Sequence, residues 1–187
     1  MNRSVLLFCG LLAAGAVAAE GPSHREQAMG ATAAFGKALK SELVAAMKAG
    51  GPLKAIDVCN TKAPVIAETV SLEQGMDLSR VSMKNRNPDN APNEWQAAVL
   101  AEFEERVEAG EDAGGLSWQE TVDTGDAREY RFMKAIPTGA VCLACHGKAI
   151  SPEVQAKLAE LYPGDKATGF SEGDLRGAFV VTQTFSQ

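Results

Sequence analysis

The sequence is poor in the residues that usually announce chemistry. In 187 residues there are two histidines, two tyrosines, two tryptophans and four cysteines, and aromatic residues make up only 6%. So few histidines exclude a multi-histidine metal centre. So few cysteines exclude a disulfide-dense scaffold, and a chain of this length buries an adequate core without one. Positive charge is also short: 18 Lys and Arg stand against 24 Asp and Glu, a net charge of -6. Phosphate-rich partners need a basic footprint, so nucleic acid and anionic membranes are excluded as main partners. No apolar run reaches the roughly 20 residues that span a bilayer. What remains is an ordinary globular composition, 45% hydrophobic and 22% charged, sized for one domain.

The first 19 residues read as an address. Arg3 supplies a positive start, Val5 to Leu12 a short apolar stretch, and Ala16-Val17-Ala18 and Val17-Ala18-Ala19 small-residue cleavage sites. This is the pattern of a secretory signal peptide. Cys9 follows bulky Phe8, which does not suit lipid attachment, and it leaves with the peptide. The expected product is residues 20–187, a soluble, exported, periplasmic domain with three cysteines: Cys59, Cys142 and Cys145. An odd count in an oxidising compartment asks for an explanation.

Phe35, Leu39, Leu43 and Met47 recur every four residues and predict a helix from Arg25 to Ala49. Gly50-Gly51 stops it, and Pro52 suits the start of the next, along which Leu53, Ile56 and Cys59 share one side. Ala63-Pro64 predicts a break or kink before a further short helix. Residues 78–84 alternate as a strand, 85–93 form a proline-bound loop, and Pro92 opens a helix carrying Trp95, Val99, Leu100, Phe103 and Val107. Two strands flank the turn Asp123-Thr124-Gly125-Asp126, Ser151-Pro152-Glu153 caps a helix through Leu161, and residues 177–185 are rich in β-formers. Helices first, then mixed elements, predict an α+β domain on an antiparallel sheet.

One motif carries chemistry. Cys142-Leu143-Ala144-Cys145-His146 is C-x-x-C-H, the c-type haem attachment signature. Its two thiols are spaced to add to the two vinyl groups on one porphyrin edge, and the next residue, His146, then reaches iron from below. A thioredoxin-like redox pair, a structural disulfide, or a zinc site completed by Cys59 compete with this reading. No βαβ unit precedes the motif, and export with this order of residues favours one covalent haem c. The second axial ligand stays open. His24 lies near the new N-terminus, where chains are loosely held. Met29, Met47, Met76, Met83 and Met133 are available, since methionine is a frequent ligand in cytochromes c. Cys59, the leftover thiol, is the other contender, because ferric iron stabilises a thiolate.

Four ordered segments sharpen this. They are Arg80-Val81-Ser82-Met83-Lys84-Asn85-Arg86-Asn87-Pro88-Asp89-Asn90-Ala91-Pro92; Ala55 to Asn60 with Ala63 to Ala67; Cys142 to Gly147; and Asp165 to Phe170 with Gly173 to Ala178. In that order they resemble the Tll-type single-haem family, a domain family of unknown function, over nearly all of residues 20–187. The resemblance implies a PAS-like fold with a central antiparallel sheet and flanking helices. It implies haem held by Cys142 and Cys145, with His146 as one axial ligand and Cys59 as the other. Arg80, Lys84 and Arg86 alternate on one strand face, and cations there suit haem propionates; a solvated strand face and a proline-bound turn explain them as well. Arg176 and Gly177 read as a turn before the last strand.

The expected function is a redox or small-ligand sensor, in which a Cys59 thiolate released on reduction opens a site for a diatomic ligand. The alternative is an electron carrier that keeps both ligands and uses its acidic surface to meet a basic redox partner. An enzyme is disfavoured, because a peroxidase needs acid–base groups on the open side and His24 is the only spare histidine.

Overall fold

The computed structural model describes residues 22–186, so the expected signal peptide lies outside the described residues. Helix α1 (His24–Asp57) opens on a capping box, in which Ser23 and Glu26 each hold the other's backbone N–H. It is broken at Gly50 and Gly51, where Gly51 takes φ 68, a conformation that other residues avoid. Pro52 then starts its second half, as the sequence led one to expect. Ile56 is buried, but Leu53 is 39% exposed, so those two do not share an inward face.

The expected break at Ala63-Pro64 is instead a continuous helix. A π-helical turn (Val58–Lys62) runs straight into α2 (Ala63–Gln74), with the Ala63 N–H reaching the Val58 carbonyl. Pro64 sits in the first turn of α2, where its missing N–H is tolerated. The Thr61 hydroxyl donates to the Asp57 carbonyl at 2.7 Å and keeps that acceptor satisfied.

Four antiparallel strands follow: β1 (Asp77–Val81), β2 (Ser117–Asp123), β3 (Ala127–Pro137) and β4 (Leu175–Ser186), in the sheet order β1-β4-β3-β2. β1 stops at Val81, short of the expected residue 84. Ser82 turns its N–H to the Asn90 carbonyl at 3.0 Å, closing the loop back on itself. Lys84 and Arg86 are therefore loop residues and do not alternate with Arg80 on one strand. Helix α3 (Glu94–Glu108) is capped by Asn93, and the short α4 (Leu143–His146) is followed by α5 (Pro152–Leu161), capped by Ser151. This is an α+β, PAS-like arrangement with helices on both faces of the sheet.

One face packs Phe35, Ala31 and Ala28 of α1 and Val70 of α2 against Leu78, Phe132 and Val181. The other packs Val99, Leu100 and Phe103 of α3 against Val81, Met133, Ala135 and Val180. Among the described residues, no helix is long and apolar enough to cross a membrane.

Candidate functional site

Beyond Phe35, the α1 face of the sheet stops being a closed core and opens into a cavity of about 410 Å³. That is the size range of small-molecule and cofactor sites. Leu39, Leu43 and Met47 of α1 line one wall, and Ile136 and Phe179 of the sheet another. Cys142, Cys145 and His146, around the short α4, line it as well, and so does Cys59 from the π turn. Residues more than eighty positions apart in sequence thus share one chamber.

All three described cysteines are free thiols. Among the described residues, no three His, Cys, Asp or Glu side chains gather as a group that could hold a metal ion. The sulfurs and the imidazole border a space and do not converge on a point, which is the wrong geometry for tetrahedral zinc.

His146 is oriented for ligation. Its Nδ1 lies 2.7 Å from the Ala167 carbonyl oxygen. That oxygen only accepts, so Nδ1 carries the proton and Nε2 keeps the free lone pair, the arrangement typical of metal-binding histidines. Burial, helped by the positive charges of Arg176 and Arg86, drives the imidazole pKa down to about 2, so the ring is neutral.

Cys59 is held between opposing effects. Burial raises its pKa above the ordinary thiol value, and the positive charges of Arg80, Arg86 and Arg176 offset only part of that rise. Burial likewise lowers Arg80, and lowers Arg176 to about 10 with help from the other arginines. Arg80 stacks over the Phe35 ring and Arg176 over Phe170. Neither has an ion-pair partner among the described residues, although both line the cavity. Arg86 lines the cavity too, but it is 7% exposed and paired with Asp165 at 3.0 Å. Lys84 lies outside the cavity lining, with its Nζ donating to the Thr168 carbonyl and resting over Phe170.

Arg176 is the residue that sequence reasoning passed over. It lies inside β4 rather than in a turn, and Gly177 beside it takes φ 150 where the strand crosses Val81, whose carbonyl oxygen a side chain there would strike at 2.3 Å. The Gly-Asp-Leu-Arg-Gly-Ala stretch was the available signal. Tyr162, at the end of α5, also lines the cavity. Of the methionines, Met47 lines it, Met76 and Met133 are buried in the cores, and Met29 and Met83 are exposed. His24 stacks on Tyr130 and Phe185, outside the cavity lining.

The model of the Tll0287-like family (Tll0287) matches residues 15–184. Among solved structures, the chain is similar to the cyanobacterial heme-protein Tll0287, with a TM-score of 0.63 and 24% sequence identity, over 89% of this chain and 99% of that one. No curated protein matches.

Proposed function

The chain belongs to the Tll0287-like family, and from that premise we propose that it binds one haem c in the cavity under its sheet and acts as a redox or small-ligand sensor. Cys142 and Cys145 are the thioether anchors, His146 is one axial ligand and Cys59 the other. The carrying observation is that C-x-x-C-H and the distant Cys59 line one chamber, in which His146 is neutral with Nε2 free. The similarity to a heme-protein of the same fold points the same way.

The chamber suits the group in two further respects. Its walls are largely aliphatic and aromatic, as a porphyrin face requires, and Arg80 and Arg176 are cations without carboxylate partners among the described residues. Propionates satisfy that need, because an anion beside a desolvated guanidinium restores the electrostatic stabilisation it lost with water. Haem, when bound, supplies a one-electron iron centre open to diatomic gases wherever a protein ligand lets go.

The chain's own residues decide whether one does. Cys59 stands in a π turn, a distortion common at functional sites. Three arginines favour its thiolate, but burial opposes it more strongly and leaves its pKa above the ordinary thiol value, so the free side chain is a neutral thiol. The product is placed in the periplasm, after removal of residues 1–19; N-terminal sequencing of the exported protein should begin at Glu20. His24, stacked away from the cavity, leaves that side without an acid–base histidine, which disfavours a peroxidase.

The test is spectroscopic. Cys142→Ala with Cys145→Ala should abolish covalent haem, read as extraction of the pigment by acid acetone. Cys59→Ser should convert a low-spin, thiolate-type ferric EPR signal into another. An unchanged signal in the variant removes Cys59 from the iron. Rapid CO binding by the reduced parent protein supports the sensor, and a reduced form that refuses CO makes it an electron carrier.

A further inference from the structure

The Arg86–Asp165 pair does more than tie two loops together. Arg86 Nε donates to Asp165 Oδ2 at 3.0 Å, and its Nη2 donates to the carbonyl oxygens of Cys145 at 2.6 Å and Ala167 at 3.2 Å. The Cys145 carbonyl belongs to the peptide that leads into His146. The Ala167 carbonyl is the same oxygen that accepts the His146 Nδ1 proton at 2.7 Å. Asp165 closes the circuit, because its Oδ1 accepts from the Ala167 N–H at 2.7 Å. One guanidinium thus grips the backbone entering His146 and the acceptor of the His146 ring, while its carboxylate partner holds the N–H of the residue that carries that acceptor.

We infer that Arg86 and Asp165 are positioning residues for His146, setting the orientation of its ring and the strength with which Nδ1–H is held. The inference rests on the reading of His146 as an iron ligand. Its physical content is specific. The guanidinium and the carboxylate together hold the Ala167 carbonyl where the Nδ1–H meets it, so the ring keeps one orientation and its Nδ1–H stays bonded. The fork shape of the guanidinium matters as well as its charge, since a carboxylate and two carbonyls are engaged at once. These three bonds commit Arg86 Nε and Nη2 to protein groups.

The experiment follows the His146 Nδ1–H proton by NMR in the reduced haem protein, together with the reduction potential, in the parent, Arg86→Lys and Asp165→Asn. Lysine keeps the charge and loses the fork. The expected result is a slowly exchanging Nδ1–H in the parent, exchange faster by about tenfold in both variants, as the loss of a charge-assisted bond implies, and a potential in Arg86→Lys that departs from the parent's. If both variants carry haem and keep the parental exchange and potential, the pair is merely structural and the inference fails. If neither variant folds, Arg86→Gln, which keeps an amide donor and removes the charge, is read by the same two measurements: exchange and potential both at the parental values overturn the inference, and a change in either upholds it. Failure of the parent to hold covalent haem is read separately, in the pigment extraction, and counts against the proposed function instead.

Discussion

The two faces of the sheet are built from the same four strands, but only one of them is sealed; the other closes over Phe35, Phe132 and Val181 and then opens. Against α3, Met133, Phe103 and Leu100 are sealed, with at most 1% of their surface exposed. Against α1, the same strands present Arg80, Ile136 and Phe179 to an open chamber. The difference lies in the helices. α3 lies on its face as one capped, unbroken helix whose apolar stripe runs from Trp95 to Val107. α1 is broken at Gly50-Gly51 and continues through a π turn, so its second half carries Ile56 and Cys59 to the chamber rather than onto the sheet. A sealed face supplies stability and a broken helix supplies room, and the room is where the chemical groups gather.

That contrast is open to measurement. Phe103→Ala should cost about 3–5 kcal/mol, the usual loss for a fully buried ring, whereas Leu43→Ala, on the chamber wall, should cost about 1 kcal/mol. Urea midpoints read both, and equal losses would mean that the chamber wall is as tightly packed as the sealed face. The next effect is pH dependence. His146 is neutral in the fold down to about pH 2, but the unfolded chain protonates it below about 6.5. The unfolded state therefore binds the extra proton between those limits, and stability falls as pH drops through that window. From pH 7 to pH 5 the loss should approach 2 kcal/mol, and His146→Phe should remove most of it. Iron coordination also keeps the folded imidazole unprotonated, so the sign is the same with haem bound. If the slope survives in His146→Phe, the proton goes elsewhere. The smallest effect belongs to Lys84→Ala, which should shift stability by less than about 0.5 kcal/mol and leave the haem spectrum untouched, because Lys84 lies outside the chamber. A spectral change there would put it back among the cofactor contacts.

Much of this was legible locally. The apolar stripe of α3, the Ser151 cap of α5, the hairpin of β2 and β3 and the stop at Gly50-Gly51 are all short-range signals, and each stands in the structure where the spacing put it. C-x-x-C-H and the odd Cys59 singled out the residues that now share the chamber. The misreadings have a common cause. Lys84 looked like a continuation of β1 because alternation persists in sequence past Val81, but the Ser82 N–H is claimed by Asn90. Arg176 looked like a turn residue because glycines flank its segment, yet Gly177 is there to let β4 pass close to β1. Arg86 looked like an alternation partner of Arg80 on one strand face, but it stands in the loop beyond β1, lines the chamber and bonds to Asp165, Cys145 and Ala167.

The sequence by itself determined the local elements, the chemical character of four residues and the need for a partner to the odd thiol, because caps, periodicity and short motifs act over a few residues. Only the tertiary structure decided which cations face the chamber, which is already satisfied by a carboxylate, and which ring nitrogen of His146 is free. Those depend on contacts between segments such as Arg86 and Asp165, 79 residues apart, and no local pattern encodes a pairing over that distance. Electrostatics and hydrogen bonding act through space, so the properties they set could be seen only once the chain had been brought together.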